Sequence, residues 1–160
     1  MNDRRAFLGI AGAGAVSLLL FGRGSPSAAN VHLAVSHTPA QWRQILGAQR
    51  YAVLREAATE HAFSSPMLNE HRKGIFVCAG CALPLFSSAT KFESGTGWPS
   101  FWQVLPHAVV TRRDYKLVVE RTEVLCARCG GHLGHVFDDG PKPTGLRYCM
   151  NGLALNFRPA

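Results

Sequence analysis

Gly74-Ile75-Phe76-Val77-Cys78-Ala79-Gly80-Cys81 runs a short apolar segment into a Cys-x-x-Cys pair. Residues 74–77 are too few for a helix and read as a strand; the pair after them needs a tight turn, which Gly80 is expected to allow. Cys126-Ala127-Arg128-Cys129 repeats the pair after residues 82–125, and Gly130-Gly131 let the chain leave it. Tyr115–Val119, Glu123–Leu125 and Arg147–Met150 also read as strands, and Ala108–Val110 is a shorter candidate. Gly, Pro and Ser punctuate these segments and no long helix separates them, so the expected core is antiparallel β-sheet. Upstream, Thr38-Pro39 has the form of a helix start, with Thr as N-cap and Pro in the first turn. Trp42, Ile45 and Leu46 then share a helical face, Gly47 interrupts, and Ala48–Ala58 reads as a second helix carrying Tyr51, Leu54 and Ala58 inward. Both short helices are expected to cover the core.

The composition agrees with one folded domain in 160 residues. Apolar residues make up 47%, which excludes global disorder. Charged residues are only 17% despite a net charge of +7, so the chain lacks the Lys/Arg density of a nucleic-acid module. Residues 1–29 differ in texture: Arg4-Arg5, then a Gly/Ala-rich uncharged run from Ala6 to Gly22, then Ser27-Ala28-Ala29. A basic start, an apolar stretch and a small-residue end form a secretory signal, and the twin arginine resembles a Tat signal. The expected organisation is a signal over 1–29, a linker over 30–37 and a domain over 38–160. Export, to a periplasm or equivalent compartment, follows. Membrane contact is expected only during export, or as an anchor if the segment is not cleaved.

Five cysteines cannot all pair within the chain. Two Cys-x-x-Cys pairs can supply four thiolates, from Cys78, Cys81, Cys126 and Cys129, to one tetrahedral Zn²⁺. Four protein ligands leave no open position for water, so such a zinc is structural. Two local disulfides, or one redox-active pair, are the alternatives in an oxidising compartment. Cys149 is left over. On a strand, Arg147, Cys149 and Asn151 share a face, an environment that can favour the nucleophilic thiolate; an inert buried thiol is the plainer reading. His132 and His135 stand three apart among glycines and could donate protons near neutral pH, or be structural. Ser94–Trp102 is a glycine-hinged aromatic segment in which Trp98 is either presented on a turn or simply part of the core.

Taken together, four motifs in order resemble the B-type methionine sulfoxide reductases. They are Cys78–Cys81 with Leu83–Phe86; Lys91–Gly95 with Gly97–Phe101; Gly131–Phe137; and Arg147–Asn151. The resemblance runs from about Thr38 to Phe157. It implies a mainly β, tent-like fold of two antiparallel sheets, with a structural zinc clamp on the four paired cysteines and a separate catalytic cysteine. It matches Cys149 to the nucleophile, His132, His135 and Asn151 to residues around the sulfoxide oxygen, and Trp98 to the wall receiving the substrate methyl group. It implies thiol-dependent reduction of methionine-R-sulfoxide, protein-bound or free, through a Cys149 sulfenic acid. Many relatives carry a resolving cysteine where this chain has Thr96, so an external thiol, such as a thioredoxin-like protein, is the expected reductant. Relatives often have Ser at Gly152. A non-catalytic zinc-ribbon or tent-fold binding module is the alternative, and no nucleic-acid partner is expected.

Overall fold

The computed structural model describes residues 33–115 and 119–160; the leader-like residues 1–29 lie outside that range. The polypeptide first forms a helix, α1 (Pro39–Glu56), capped by Thr38, whose hydroxyl accepts from the Gln41 N–H while the Gln41 side chain accepts from the Thr38 N–H. Gly47 breaks it with φ 69° and ψ 172°, so the expected pair of short helices is one element with a kink. Trp42, Leu46, Tyr51 and Leu54 are buried as expected. Ile45 is not: it is 52% exposed. Ala58 falls beyond the helix, which stops at Ala57 in a left-handed conformation.

Among the described residues nine strands follow: β1 (Gly74–Cys78), β2 (Pro84–Ser87), β3 (Lys91–Phe92), β4 (Ser100–Phe101), β5 (Val109–Asp114), β6 (Arg121–Cys126), β7 (His132–Phe137), β8 (Arg147–Met150) and β9 (Leu155–Pro159). They make two antiparallel sheets, β2-β1-β9 and β3-β4-β8-β7-β6-β5. This is the expected mainly β architecture. Phe76, Phe86 and Phe101 join the sheets: Phe86 stacks on Phe101 at 4.3 Å and Phe76 meets it edge-on at 5.0 Å between ring centres. The strand expected over Tyr115–Val119 is not formed by its described residues; the strand is Val109–Asp114, and residues 116–118 lie outside the described range. The run of Thr and charged residues at 111–114 hid it: residues 111–113 are exposed on an edge strand where water satisfies them, and Asp114 is buried against partners from elsewhere in the chain. Residues 33–37, read as linker, lie against the domain: the Val35 N–H donates to the Arg128 carbonyl at 3.2 Å, and the His37 ring meets Trp42 edge-on. Among the described residues no helix is long and apolar enough to cross a membrane.

Register fixes the chemistry of the larger sheet. Directly opposed residues of antiparallel strands share a face. One row runs Arg112, Glu123, His135, Cys149, Ser100 across β5, β6, β7, β8 and β4. The neighbouring row on the other face runs Val124, Gly134, Met150, and is buried. The sheet therefore has an apolar face turned to the core and a polar face carrying the thiol.

Candidate active site and metal centre

The polar row converges on a cavity of about 130 Å³ lined by Thr59, Trp98, Arg121, His135, Cys149 and Asn151, among others. Cys149, Trp98, His135 and Asn151 are thus brought together as expected. His132 is not on that wall. Between Val124 and Leu125 the β6–β7 register shifts, and this bulge turns His132 to the side of the sheet that His135 occupies. Its ring meets the His135 ring at 5.5 Å, and its Nδ1 lies 2.7 Å from Glu123 Oε1. His132 supports His135 from behind.

Cys149 is half-buried and free. Burial pushes its thiol above the usual value, against the downward pull of the Thr96 hydroxyl, the Arg147 charge and the Ser100 hydroxyl. The expectation that its surroundings favour thiolate is corrected: desolvation of the charged form outweighs the polar neighbours. Thr96 Oγ1 stands 3.8 Å from the sulfur. Arg147 shares the face as expected, but it is held bidentately by Asp139, with Nε and Nη2 each donating at 2.8 Å. Asn151 lies one residue past β8. Its Oδ1 accepts from the Glu60 N–H at 3.0 Å and its Nδ2 donates to the Leu133 carbonyl at 3.2 Å, which leaves one amide hydrogen for the cavity.

Three carboxylates that the motifs did not single out organise this site. Glu60 is buried; its carbonyl accepts from Trp98 Nε1, its N–H holds Asn151, and its carboxylate accepts from the Gly152 and Leu153 N–H groups at 2.5 and 2.9 Å. Glu123 is gripped by Arg112 and His132, whose hydrogen bonds and charge hold its carboxyl below the usual range although burial alone would raise it. Asp114 Oδ2 accepts from His135 Nε2 at 2.7 Å and from Arg121 Nη2 at 2.8 Å. The signal for all three was non-local pairing, which no spacing rule contains.

The paired cysteines form a second centre. Their sulfurs all lie within 4.8 Å of one another; Cys78 and Cys129 are 3.7 Å apart, Cys81 and Cys126 3.5 Å. The short distances run between the two pairs, which fits a shared ion rather than a disulfide within each pair. Thiolates around Zn²⁺ at about 2.3 Å have sulfur–sulfur edges of about 3.8 Å in a regular tetrahedron, so the four residues fit that ion. The knuckles are alike: Ala82 N donates to Cys78 O at 2.8 Å, and Gly130 N to Cys126 O at 2.8 Å. The residue after each second cysteine is left-handed, Gly130 at φ 66° and Ala82 at φ 59°. Gly80 was assigned the first turn, but its φ is not positive; Ala82 takes that conformation. Helix α1 backs the centre through Trp42 and through Arg55, which donates to the Cys129 carbonyl at 2.9 Å.

A family model described as the SelR domain matches residues 46–159. Curated relatives agree. The chain is 54% identical over 123 residues to the peptide methionine sulfoxide reductase MsrB of Thiobacillus denitrificans, covering 76% of this chain and 93% of the relative. It is 57% identical over 120 residues to that of Bradyrhizobium diazoefficiens, covering 74% and 86%. It is 52% identical over 126 residues to that of Agrobacterium fabrum, covering 78% and 93%.

Proposed function

Because this chain belongs to the SelR-domain family, the B-type methionine sulfoxide reductases, and is such an enzyme, we propose that it reduces methionine-R-sulfoxide, in proteins and as the free amino acid, at Cys149. The observation that carries the reading is one thiol opening into a cavity walled by Trp98, His135 and Asn151. The S-methyl group packs on Trp98, a sulfur–aromatic contact of roughly 0.3–1.5 kcal/mol. The oxygen then faces His135 and the spare amide hydrogen of Asn151. One epimer alone satisfies both walls.

A sulfoxide sulfur is a poor electrophile until its oxygen receives a proton, and His135 is placed to supply it. The Cys149 thiolate attacks the sulfoxide sulfur and forms an S–S bond; the S–O bond breaks, its oxygen passes as hydroxyl or water to the Cys149 sulfur, and cleavage of the S–S bond releases methionine. In balance, thiol and sulfoxide become sulfenic acid and thioether: substrate sulfur gains two electrons and Cys149 sulfur loses two. Thr96 beside Cys149 cannot resolve the sulfenic acid, and the other four cysteines are gathered in the metal centre. Two equivalents of an external thiol, such as a thioredoxin-like protein, therefore return Cys149 to thiol with release of water and a disulfide. Zn²⁺ on Cys78, Cys81, Cys126 and Cys129 cross-links the two knuckles and takes no part in the reaction. The Arg4-Arg5 leader supports export through a Tat-type route and repair of exported proteins.

Chiral chromatography of racemic methionine sulfoxide, after incubation with the protein and dithiothreitol, tests the reading. Loss of the R epimer alone is expected. Retention of both epimers overturns it and leaves a zinc-bearing binding module.

A further inference from the structure

We propose that Asp114 is a positioning residue that fixes which nitrogen of His135 meets the sulfoxide, and so makes imidazolium the acid form. The inference rests on the reductase reading. Asp114 is buried at the end of β5, and one of its oxygens, Oδ2, accepts from both His135 Nε2 and Arg121 Nη2. A carboxylate held by a guanidinium is ionised and has only lone pairs to offer. Nε2 must then carry hydrogen in every protonation state of the ring. The nitrogen left for the cavity is Nδ1. In the neutral ring it is a lone pair, which cannot protonate the sulfoxide oxygen; only the imidazolium presents Nδ1–H there. The side chain of His135 is 11% exposed and that of Asp114 7%, so water does not compete for this bond.

The arrangement is repeated one row away. Glu123, held by Arg112, engages Nδ1 of His132, and the His132 ring lies edge-on against His135. His135 alone of the two lines the Cys149 cavity, so the tautomer set by Asp114 is the one that reaches substrate. The charged and titratable groups around His135 are Arg112 and Asp114 on β5, Arg121 and Glu123 on β6, His132 on its own strand, and Arg147 and Cys149 on β8. Of these, Asp114 is the one hydrogen-bonded to its Nε2 in the structure.

The consequence is a pH signature. The reactive state pairs Cys149 thiolate with His135 imidazolium, and so holds the same number of protons as neutral thiol with neutral imidazole. Its population rises with pH as the pair loses its first proton and falls at higher pH, when the last shared proton is lost, so the two limbs belong to the pair. In Asp114→Asn, the amide can offer its NH₂ to Nε2 and invert the tautomer, so that neutral imidazole presents Nδ1–H as a hydrogen-bond donor to the sulfoxide oxygen, a weaker activation than transfer of the proton. The variant then needs only thiolate: its rate climbs through the cysteine titration and levels off with no alkaline fall.

The experiment is single-turnover release of methionine from the R sulfoxide, without reductant, between about pH 5 and 11, with pH 7.0 as reference. Wild type is expected to show both limbs. Asp114→Asn is expected to lose the alkaline limb and to be slower at neutral pH by about 10²-fold, the lower end of what a positioned acid contributes. Asp114→Glu restores the alkaline limb. Asp138→Asn removes the same charge from an exposed position and keeps the wild-type profile. An Asp114→Asn profile of wild-type shape, whatever its rate, overturns the inference and leaves the reductase reading intact; a wild type that releases no methionine overturns both. If Asp114→Asn does not fold, ¹⁵N shifts of the wild-type His135 ring decide: a neutral ring protonated at Nε2 supports the inference, and one protonated at Nδ1 refutes it.

Discussion

At the scale of the residue, Cys149, the proposed nucleophile, is biased toward the thiol. Burial holds its proton on, while Thr96, Arg147 and Ser100 pull the other way. The thiolate is the alkylating species, so each unit by which the thiol is raised slows alkylation at fixed pH about tenfold. Iodoacetamide labelling of Cys149, followed by peptide mass mapping across pH, should therefore give a midpoint above the usual thiol range. Arg147→Met removes the nearby charge and should move that midpoint further up. Faster labelling in Arg147→Met would show that the guanidinium does not act on the sulfur.

At the scale of the element, the turn after β8 is one place where this chain departs from the pattern it resembles. Gly152 opens the 3-10 turn Gly152–Ala154, and a Cβ placed there would stand 1.8 Å from Ser65 Oγ and 2.5 Å from Ser65 Cβ. Ser65 fills the space a side chain at 152 would take, while its hydroxyl caps the turn at Pro66–Asn69 by accepting from the Met67 N–H at 3.1 Å. Gly152→Ser should cost about 1–3 kcal/mol, the usual penalty of overpacking. In a Ser65→Gly background, itself worse by only a few tenths of a kcal/mol as a cap change, most of that cost should vanish. Urea denaturation of the two single variants and the double variant measures the coupling; simple additivity would mean that the two positions do not compete for one space. The clamp that sets Asn151 also belongs to this level, since Glu60 ties the turn to Trp98 through its own backbone and carboxylate.

At the scale of the whole molecule, the four-cysteine centre and the Cys149 cavity are two sites with separate tasks. The cysteine centre joins the loop after β1 to the loop after β6, and thereby one sheet to the other. Cys126→Ser should purify with less than one zinc per chain and melt about 10 °C lower, the shift that a loss of roughly 3 kcal/mol produces in a domain of this size. Metal analysis with a thermal melt checks it, and a zinc-free protein with the wild-type melting temperature would contradict the cross-link. Once folded at permissive temperature, the variant should still consume only the R epimer, because no ligand of the centre lines the cavity.

What the amino-acid sequence determined by itself was everything set by local chemistry. The Cys-x-x-Cys pairs, the glycine-flanked histidines, the Trp98 segment and the Arg147–Asn151 run were legible because short-range spacing dictates which residues share a knuckle or a strand face. The mainly β core was legible from short runs between turn formers, and the helix start from Thr38-Pro39. Tertiary structure decided the rest, because it depended on strand order and register. Glu60, Asp114 and Glu123 reach Trp98, Asn151, His135 and His132 only after distant strands align. The bulge between β6 and β7, not the three-residue spacing, brings the two imidazoles to one side. Burial reversed the expected influence of the Cys149 surroundings, and desolvation is a property of the packed molecule that no run of neighbouring residues contains.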